Sequence, residues 1–280
     1  MNTTALRNRG IRNLWKYIMA VLLVVIYCLP LYVMVNMSLK TITDDSSRLA
    51  PSKHPAWSNF ITLFQEGGIG RALLNTTIIT VFTVLIEVVL ACMAAYPLAR
   101  HRSRFNSFIN ALMMGVMMIP PLSILVGVYS TLVSMHATST YWGMIIVSAA
   151  FGLPMPIYFF TKFIRTIPRS LDEAAQIDGC NNLQTFFYVI LPQLKPAIAT
   201  IVILNGVGMW NEYGYALYIL QKPDMYTLTL TISQYFSSGG ANNLNGAAAA
   251  ACVATLPMII MYLFLQRYFI EGTVDSAVKG

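Results

Sequence analysis

Phe105-Asn106-Ser107-Phe108-Ile109-Asn110-Ala111-Leu112-Met113-Met114-Gly115-Val116-Met117-Met118-Ile119-Pro120-Pro121 opens a run that continues to Thr161 without one Lys, Arg, Asp or Glu. The run is 57 residues long. A helix needs about 20 apolar residues to cross the hydrocarbon of a bilayer, so one helix cannot use that length. Two spans fit, with Ser134-Met135-His136-Ala137-Thr138-Ser139 as the polar break. Pro120-Pro121 lies inside the first of them and Pro154-Met155-Pro156 inside the second. Prolines there kink helices, and neighbouring helices must re-satisfy the freed carbonyls.

The same pattern extends in both directions. Tyr17 to Leu39 carries no charge and is bracketed by Lys16 and Lys40. It is too long for the apolar core of a signal peptide and lacks a small-x-small cleavage site. Ala72 to Ala99 is interrupted only by Glu87, and Pro196 to Ile219 only by Glu212. Gly246 to Leu265 is the last span, with an Ala247–Ala251 start suited to close helix packing. The expectation is an all-α membrane protein with six transmembrane helices. Its parts are an N-terminal segment, first helix and outer loop over 1–71, a five-helix core over 72–270 and a tail over 271–280. Composition agrees: 56% of the 280 residues are hydrophobic and 10% charged, against about 25% charged in soluble domains.

The net charge of +7 is a topology signal. With the N-terminus inside, cytoplasmic segments hold 13 of the 18 Lys and Arg and outer segments hold 5. The positive-inside rule then places both termini in the cytoplasm. A nucleic-acid partner is not expected; the membrane lipid is. Cys28, Cys92, Cys180 and Cys252 form no CxxC pair, so neither a zinc site nor a disulfide framework is expected. No phosphate-cradling G-x-x-x-x-G-K-[ST] is present, so this chain is not expected to bind ATP itself. No nucleophile–base set appears either, and the chain does not read as an enzyme.

The connection between the fourth and fifth spans, 162–195, is too well organised for a linker. Ser170-Leu171-Asp172-Glu173 reads as a capping box, Ser170 capping a helix and Glu173 reaching back. Asp172 and Glu173 suit the positive end of that helix. Gly179 stops it, Asn181 or Asn182 caps a second short helix over Leu183 to Ile190, and Pro192 ends that one. Ala174 and Ala175 leave a smooth face, and Leu171 and Ile177 offer apolar anchors to a soluble partner. A stiff connector is the plainer reading. A DNA-reading helix-turn-helix is disfavoured, because Leu183 to Ile190 has no Lys or Arg to meet phosphates.

Glu173-Ala174-Ala175, then Gly179, then Val189-Ile190-Leu191-Pro192 resembles the EAA loop of permease subunits from binding-protein-dependent ABC importers. Trp210-Asn211-Glu212-Tyr213 and the terminal Ala277-Val278-Lys279-Gly280 resemble the carbohydrate branch, in its maltose-type second permease. The tail departs in one place, with Ser276-Ala277 where the family often has Gly-Ala. The resemblance implies the type I importer permease fold and sugar import across a bacterial or archaeal inner membrane. It also implies partners: a second permease, two ATPase subunits carrying ATP and Mg, and an extracytoplasmic sugar-binding protein. Leu171, Asp172, Glu173, Ala174, Ala175, Ile177, Asp178, Gly179, Leu191 and Pro192 would then form the coupling loop seated on an ATPase.

Ionisable groups inside a membrane usually face a bundle interior or a cavity. Glu87 follows Thr76, Thr80 and Thr83 at helical spacing. Glu212 shares a helical face with Asn205, Gly208 and Tyr215. No Lys or Arg lies in a span to pair with either acid. Such acids either tie helices together or line a passage. Acid with aromatic and no base repels anions and admits a neutral polyol or a cation. The candidate pathway residues are Glu87, Asn205, Trp210, Asn211, Glu212 and Tyr213. An importer of amino acids, polyamines or peptides on the same fold is the alternative. A self-sufficient secondary transporter is another, and it would need no ATPase.

Overall fold

The computed structural model describes residues 3–237 and 243–278, with side chains over 15–236 and 243–266. Among the described residues every regular element is helical. Two compact units form, one from 1–68 with 232–255, the other from 69–231 with 256–280.

In the first unit α1 (Thr3–Ser38) is long and apolar enough over Trp15–Ser38 to cross a membrane. The loop after it is anchored by amide side chains. Asn36 donates to the carbonyls of Arg48 (2.8 Å) and Ala50 (2.7 Å) and accepts from the Ser52 amide (3.1 Å). Asn59, on α2 (Ser58–Gln65), donates to the carbonyls of Ser38 and Lys40, each at 2.9 Å. Lys40 is buried and donates to Ser46 Oγ and the Ser47 carbonyl. The Ser46 hydroxyl and backbone N–H hold the Asp44 carboxyl below its ordinary pKa. A buried ammonium needs such partners, which gives this loop a defined shape.

The second unit is built on α3 (Ile69–Arg100), 32 residues with Pro97 inside. Its companions are α4 (Arg104–Met117), α5 (Leu125–Ser134), α6 (Tyr141–Gly152) and α7 (Pro154–Thr166). The short α8 (Ser170–Ile177), α9 (Asn182–Gln184) and α10 (Leu191–Gln193) lie in the connection before α11 (Lys195–Trp210). Then come α12 (Gly214–Ile219), α13 (Leu228–Ser237) and α14 (Leu244–Val278), the last two shared with the first unit. Among the described residues three helices are long and apolar enough to cross on their own: α1 over Trp15–Ser38, α3, and α14 over Leu244–Gln266. Three bent pairs are together long and apolar enough to make up to three more spans: α4 with Pro121–Ser134 (91°), α6 with α7 (45°), and Asn182–Gln193 with α11 (70°), where the first piece belongs to the connecting loop.

The bends at Pro120-Pro121 and at Pro154 follow from the missing amide and ring clash of proline. The fifth span differs from the expectation. Pro196 to Ile219 is not one helix, because α11 ends at Trp210 and α12 starts at Gly214. Asn211 and Glu212 side chains bond neighbouring backbone groups and compete with the helical ladder there. Two cores fill the unit. One holds Met144, Val147, Tyr215, Ile219 and Leu230; the other Ala91, Ala95, Phe160, Ile164, Ile190 and Leu194. α3 packs chiefly on α7, α6 and α11. Lys279 and Gly280 of the tail lie outside the described residues.

Candidate functional site

The loop over 162–195 folds as two helical pieces, with corrections to the expected detail. α8 starts one residue earlier than a Ser170 cap allows: Arg169 occupies the cap position, and its side chain makes no capping bond. Leu171 N–H bonds the Pro168 carbonyl and Glu173 N–H the Arg169 carbonyl, so Ser170 sits inside the helix and no capping box forms. The C-terminus matches its glycine. Gly179 has φ +87°. Its N–H donates to Gln176 O (3.0 Å) and Cys180 N–H to Ala175 O (2.9 Å), the bond pair of a Schellman end.

Asn181 caps the next piece in a reciprocal box. Gln184 N–H donates to Asn181 Oδ1 and Asn181 N–H to Gln184 Oε1, both at 2.9 Å. The expected helix over Leu183 to Ile190 is only α-helical to Gln184. Thr185–Ile190 widens into a π-turn, and Pro192 does not end it: proline opens α10, where its missing N–H costs nothing. The chain bends into α11 after Leu194, which is fully buried with Ile190.

Of the coupling residues expected from the sequence, Ile177 is 86% exposed and Leu171 38%. Glu173, Ala174, Asp178, Gly179 and Pro192 are also exposed, and Leu191 is half-buried. Asp172 and Ala175 are buried and face the protein's own interior, so the smooth face belongs to Ala174 alone. The loop also exposes Leu183, Phe187 and Tyr188, which the sequence reading passed over. It missed Arg100 and Tyr96 as well. Arg100 Nη2 lies 2.7 Å from Asp172 Oδ2, and Tyr96 donates its hydroxyl proton to Asp172 Oδ1 at 2.8 Å. An arginine ending one apolar run and an acid in a distant loop are signals only once paired.

The six pathway candidates separate into two places. Glu87 is buried and accepts from Asn205 Nδ2 at 2.6 Å. Thr76, Thr80 and Thr83 are buried along the same face of α3. A Cβ placed on Gly152, at the α6–α7 bend, would collide with the Glu87 carboxyl. Trp210, Asn211, Glu212 and Tyr213 occupy the break between α11 and α12. There Glu212 Oε1 accepts from the Tyr215 amide at 2.7 Å and Asn211 donates to the Val207 carbonyl at 2.8 Å. Trp210 is buried and Tyr213 exposed. Asn205 therefore belongs with Glu87, not with Glu212. Thr229 donates to the Glu212 carbonyl and Tyr215 to that of Pro121, which fixes the break against its neighbours. Among the described residues no three His, Cys, Asp or Glu side chains converge as metal ligands.

Residues 87–274 match the family described as "Binding-protein-dependent transport system inner membrane component". The chain is 37% identical to the melibiose/raffinose/stachyose import permease protein MelC of Bacillus subtilis, over 97% of this chain and 100% of that one. It is 32% identical to the multiple sugar-binding transport system permease protein MsmG of Streptococcus mutans, over 98% of this chain and 99% of that one. A solved bacterial ABC transporter that imports the acidic polysaccharide alginate shares the fold. Its matching chain has a TM-score of 0.76 at 22% identity, covering 96% of this chain and 99% of that one. The helices long enough to span a membrane, the kinked pairs between them and these full-length matches agree on one conclusion: the chain belongs to the family of inner-membrane permease components of binding-protein-dependent transport systems.

Proposed function

We propose that this chain is one of two membrane-spanning subunits of an ATP-driven importer of a sugar or oligosaccharide. The observation that carries the substrate class is the full-length similarity to the melibiose/raffinose/stachyose permease. The acid and aromatic side chains at the α11–α12 break, with no base among them, support a neutral polyol. A second permease of the same family completes the passage, two ATPase subunits bind ATP and Mg, and an extracytoplasmic protein delivers the sugar. The lysine and arginine distribution supports an inner membrane with both termini in the cytoplasm.

The exposed residues of the loop, Leu171, Glu173, Ala174, Ile177, Asp178 and Pro192, seat on an ATPase, with Gly179 setting the turn between the two pieces and Leu191 behind it. Asp172 and Ala175 hold the loop from inside. Closure of the ATPases moves α8, and the bent spans carry that motion to the passage lined by Trp210, Asn211, Glu212 and Tyr213, with Glu87 and Asn205 behind it. ATP biases the two access states through its different affinity for them.

The test is ATPase stimulation in the reconstituted complex. Binding protein loaded from a panel of oligosaccharides is expected to stimulate hydrolysis and uptake. Stimulation by amino acids, polyamines or peptides, with none by sugars, would replace the substrate assignment.

A further inference from the structure

We propose that Arg100 is a positioning residue that locks α8 to the end of α3, so that the two move as one rigid lever. The inference rests on the coupling role proposed for the loop and adds the part that transmits its motion. α8 has eight residues, of which only Asp172 and Ala175 are buried. Its placement therefore depends on what those two side chains meet. Alanine offers one methyl. Asp172 offers two oxygens, and both are engaged by α3.

The guanidinium donates through Nε and Nη1 and meets the second carboxylate oxygen through Nη2 as an ion pair. Nη2 lies 2.7 Å from Asp172 Oδ2, and Nε donates to Asp172 Oδ1 at 3.2 Å. Nη1 donates to the carbonyls of Ile164 (3.0 Å) and Ile167 (3.1 Å), which close α7 just before α8 begins. Tyr96, one turn earlier on α3, donates to Asp172 Oδ1 at 2.8 Å. Arg165 donates back to the Leu98 carbonyl and Arg169 to that of Arg100. The Arg100 and Asp172 side chains are 9% and 10% exposed, so water does not compete for these bonds. A planar fork that bonds one carboxylate oxygen and two carbonyls, with the other carboxylate oxygen in ion-pair contact, fixes orientation as well as distance; a lysine ammonium fixes neither. Otherwise α8 packs chiefly on the Thr185–Ile190 turn of its own loop. Without the lock, a push on α8 would tilt the loop before it moved a spanning helix. With it, the push reaches α3, the helix that carries Glu87.

A stabilising ion pair alone would change how much complex assembles but not how it couples. The experiment therefore counts ATP hydrolysed and substrate imported in the same proteoliposomes, prepared from the full complex of permeases, ATPases and binding protein. Arg100→Lys is expected to retain ATPase in a pull-down and to raise ATP consumed per molecule imported about tenfold, the factor equivalent to ~1.4 kcal/mol of linkage. Tyr96→Phe removes one bond and no charge, and a smaller rise in the same ratio is expected. A wild-type ratio in both variants, whatever their yield, overturns the proposal. If Arg100→Lys does not assemble, Tyr96→Phe decides it alone, a raised ratio supporting the lock and a wild-type ratio overturning it. A wild-type complex stimulated by amines and not by sugars removes only the substrate assignment; the ratio is then taken on the amine.

Discussion

Two glycines show opposite constraints at the residue scale. Gly179 has open space around it and needs only its positive φ of +87°. A side chain there strains the backbone by about 1–2 kcal/mol. That is small for a bundle of spanning helices and large for a short docking helix. Gly179→Leu is therefore expected to insert normally, to recover less ATPase in a pull-down and to import less sugar. Normal recovery and uptake would reduce the loop to a connector. Gly152 has no such φ; its hydrogen faces the Glu87 carboxyl. Gly152→Ala is expected to lower the melting midpoint of the purified subunit through overpacking of about 1–3 kcal/mol. Adding Glu87→Asp, which retracts the carboxyl, should recover part of the loss. An additive double variant would mean that the two positions do not press on each other. At Glu212, Gln keeps an oxygen for the Tyr215 amide and loses only charge. Glu212→Gln should assemble at wild-type yield, and uptake should fall if the acid meets substrate. Wild-type uptake would remove it from the pathway.

Helices and their ends show how far the sequence could be read. Spans over Trp15–Ser38, Ile69–Arg100 and Leu244–Gln266 were legible because each is one uninterrupted apolar helix. The proline bends were legible because ring geometry acts locally. The α11–α12 break was not. Nothing in Asn211-Glu212-Tyr213 forbids a helix, and the interruption depends on where two side chains turn. Within the loop the glycine end was legible from a single residue. The start of α8 was not, because Asp172 answers to Arg100, 72 positions earlier. The reciprocal box at Asn181 and Gln184 gives a test at this scale. Asn181→Ala should cost the second half of the loop about 1 kcal/mol, the ordinary loss of a cap. Faster amide exchange over 182–193 in the purified subunit would register it. Unchanged exchange would mean that the π-turn and buried Leu194 hold the segment without its cap.

For the whole molecule the charge distribution makes the sharpest statement. On a six-span plan with the N-terminus inside, 13 of the 18 Lys and Arg fall in the segments that share a side with the 162–195 loop, and the proposed orientation rests on that count. In a chain freed of its native cysteines, His54→Cys is expected to react with an impermeant maleimide in intact cells. Ile177→Cys, 86% exposed in the isolated chain, is expected to react only in inside-out vesicles and to be shielded by bound ATPase. Labelling of Ile177→Cys from outside would invert the topology. The family and its six-span plan could be reached from runs and loops alone. The pairing of Glu87 with Asn205 and of Arg100 with Asp172 could not, since each joins residues far apart in the chain.

The broken third span has a consequence for how the protein is made. α4 has 14 residues, about 21 Å of helix, short of the roughly 30 Å hydrocarbon layer. α5 has 10 residues and turns away from it by 91°. Neither half is long enough to cross the hydrocarbon by itself. Their supports come later: α4 packs on α7 and α5 on α12. Phe105 to Ser134 is therefore expected to stay beside the insertion machinery until Gly214–Ile219 has been synthesised, and crosslinking of stalled nascent chains to that machinery would check it. The segment whose charge-free length announces a membrane protein is thus expected to be among the last to settle in the membrane.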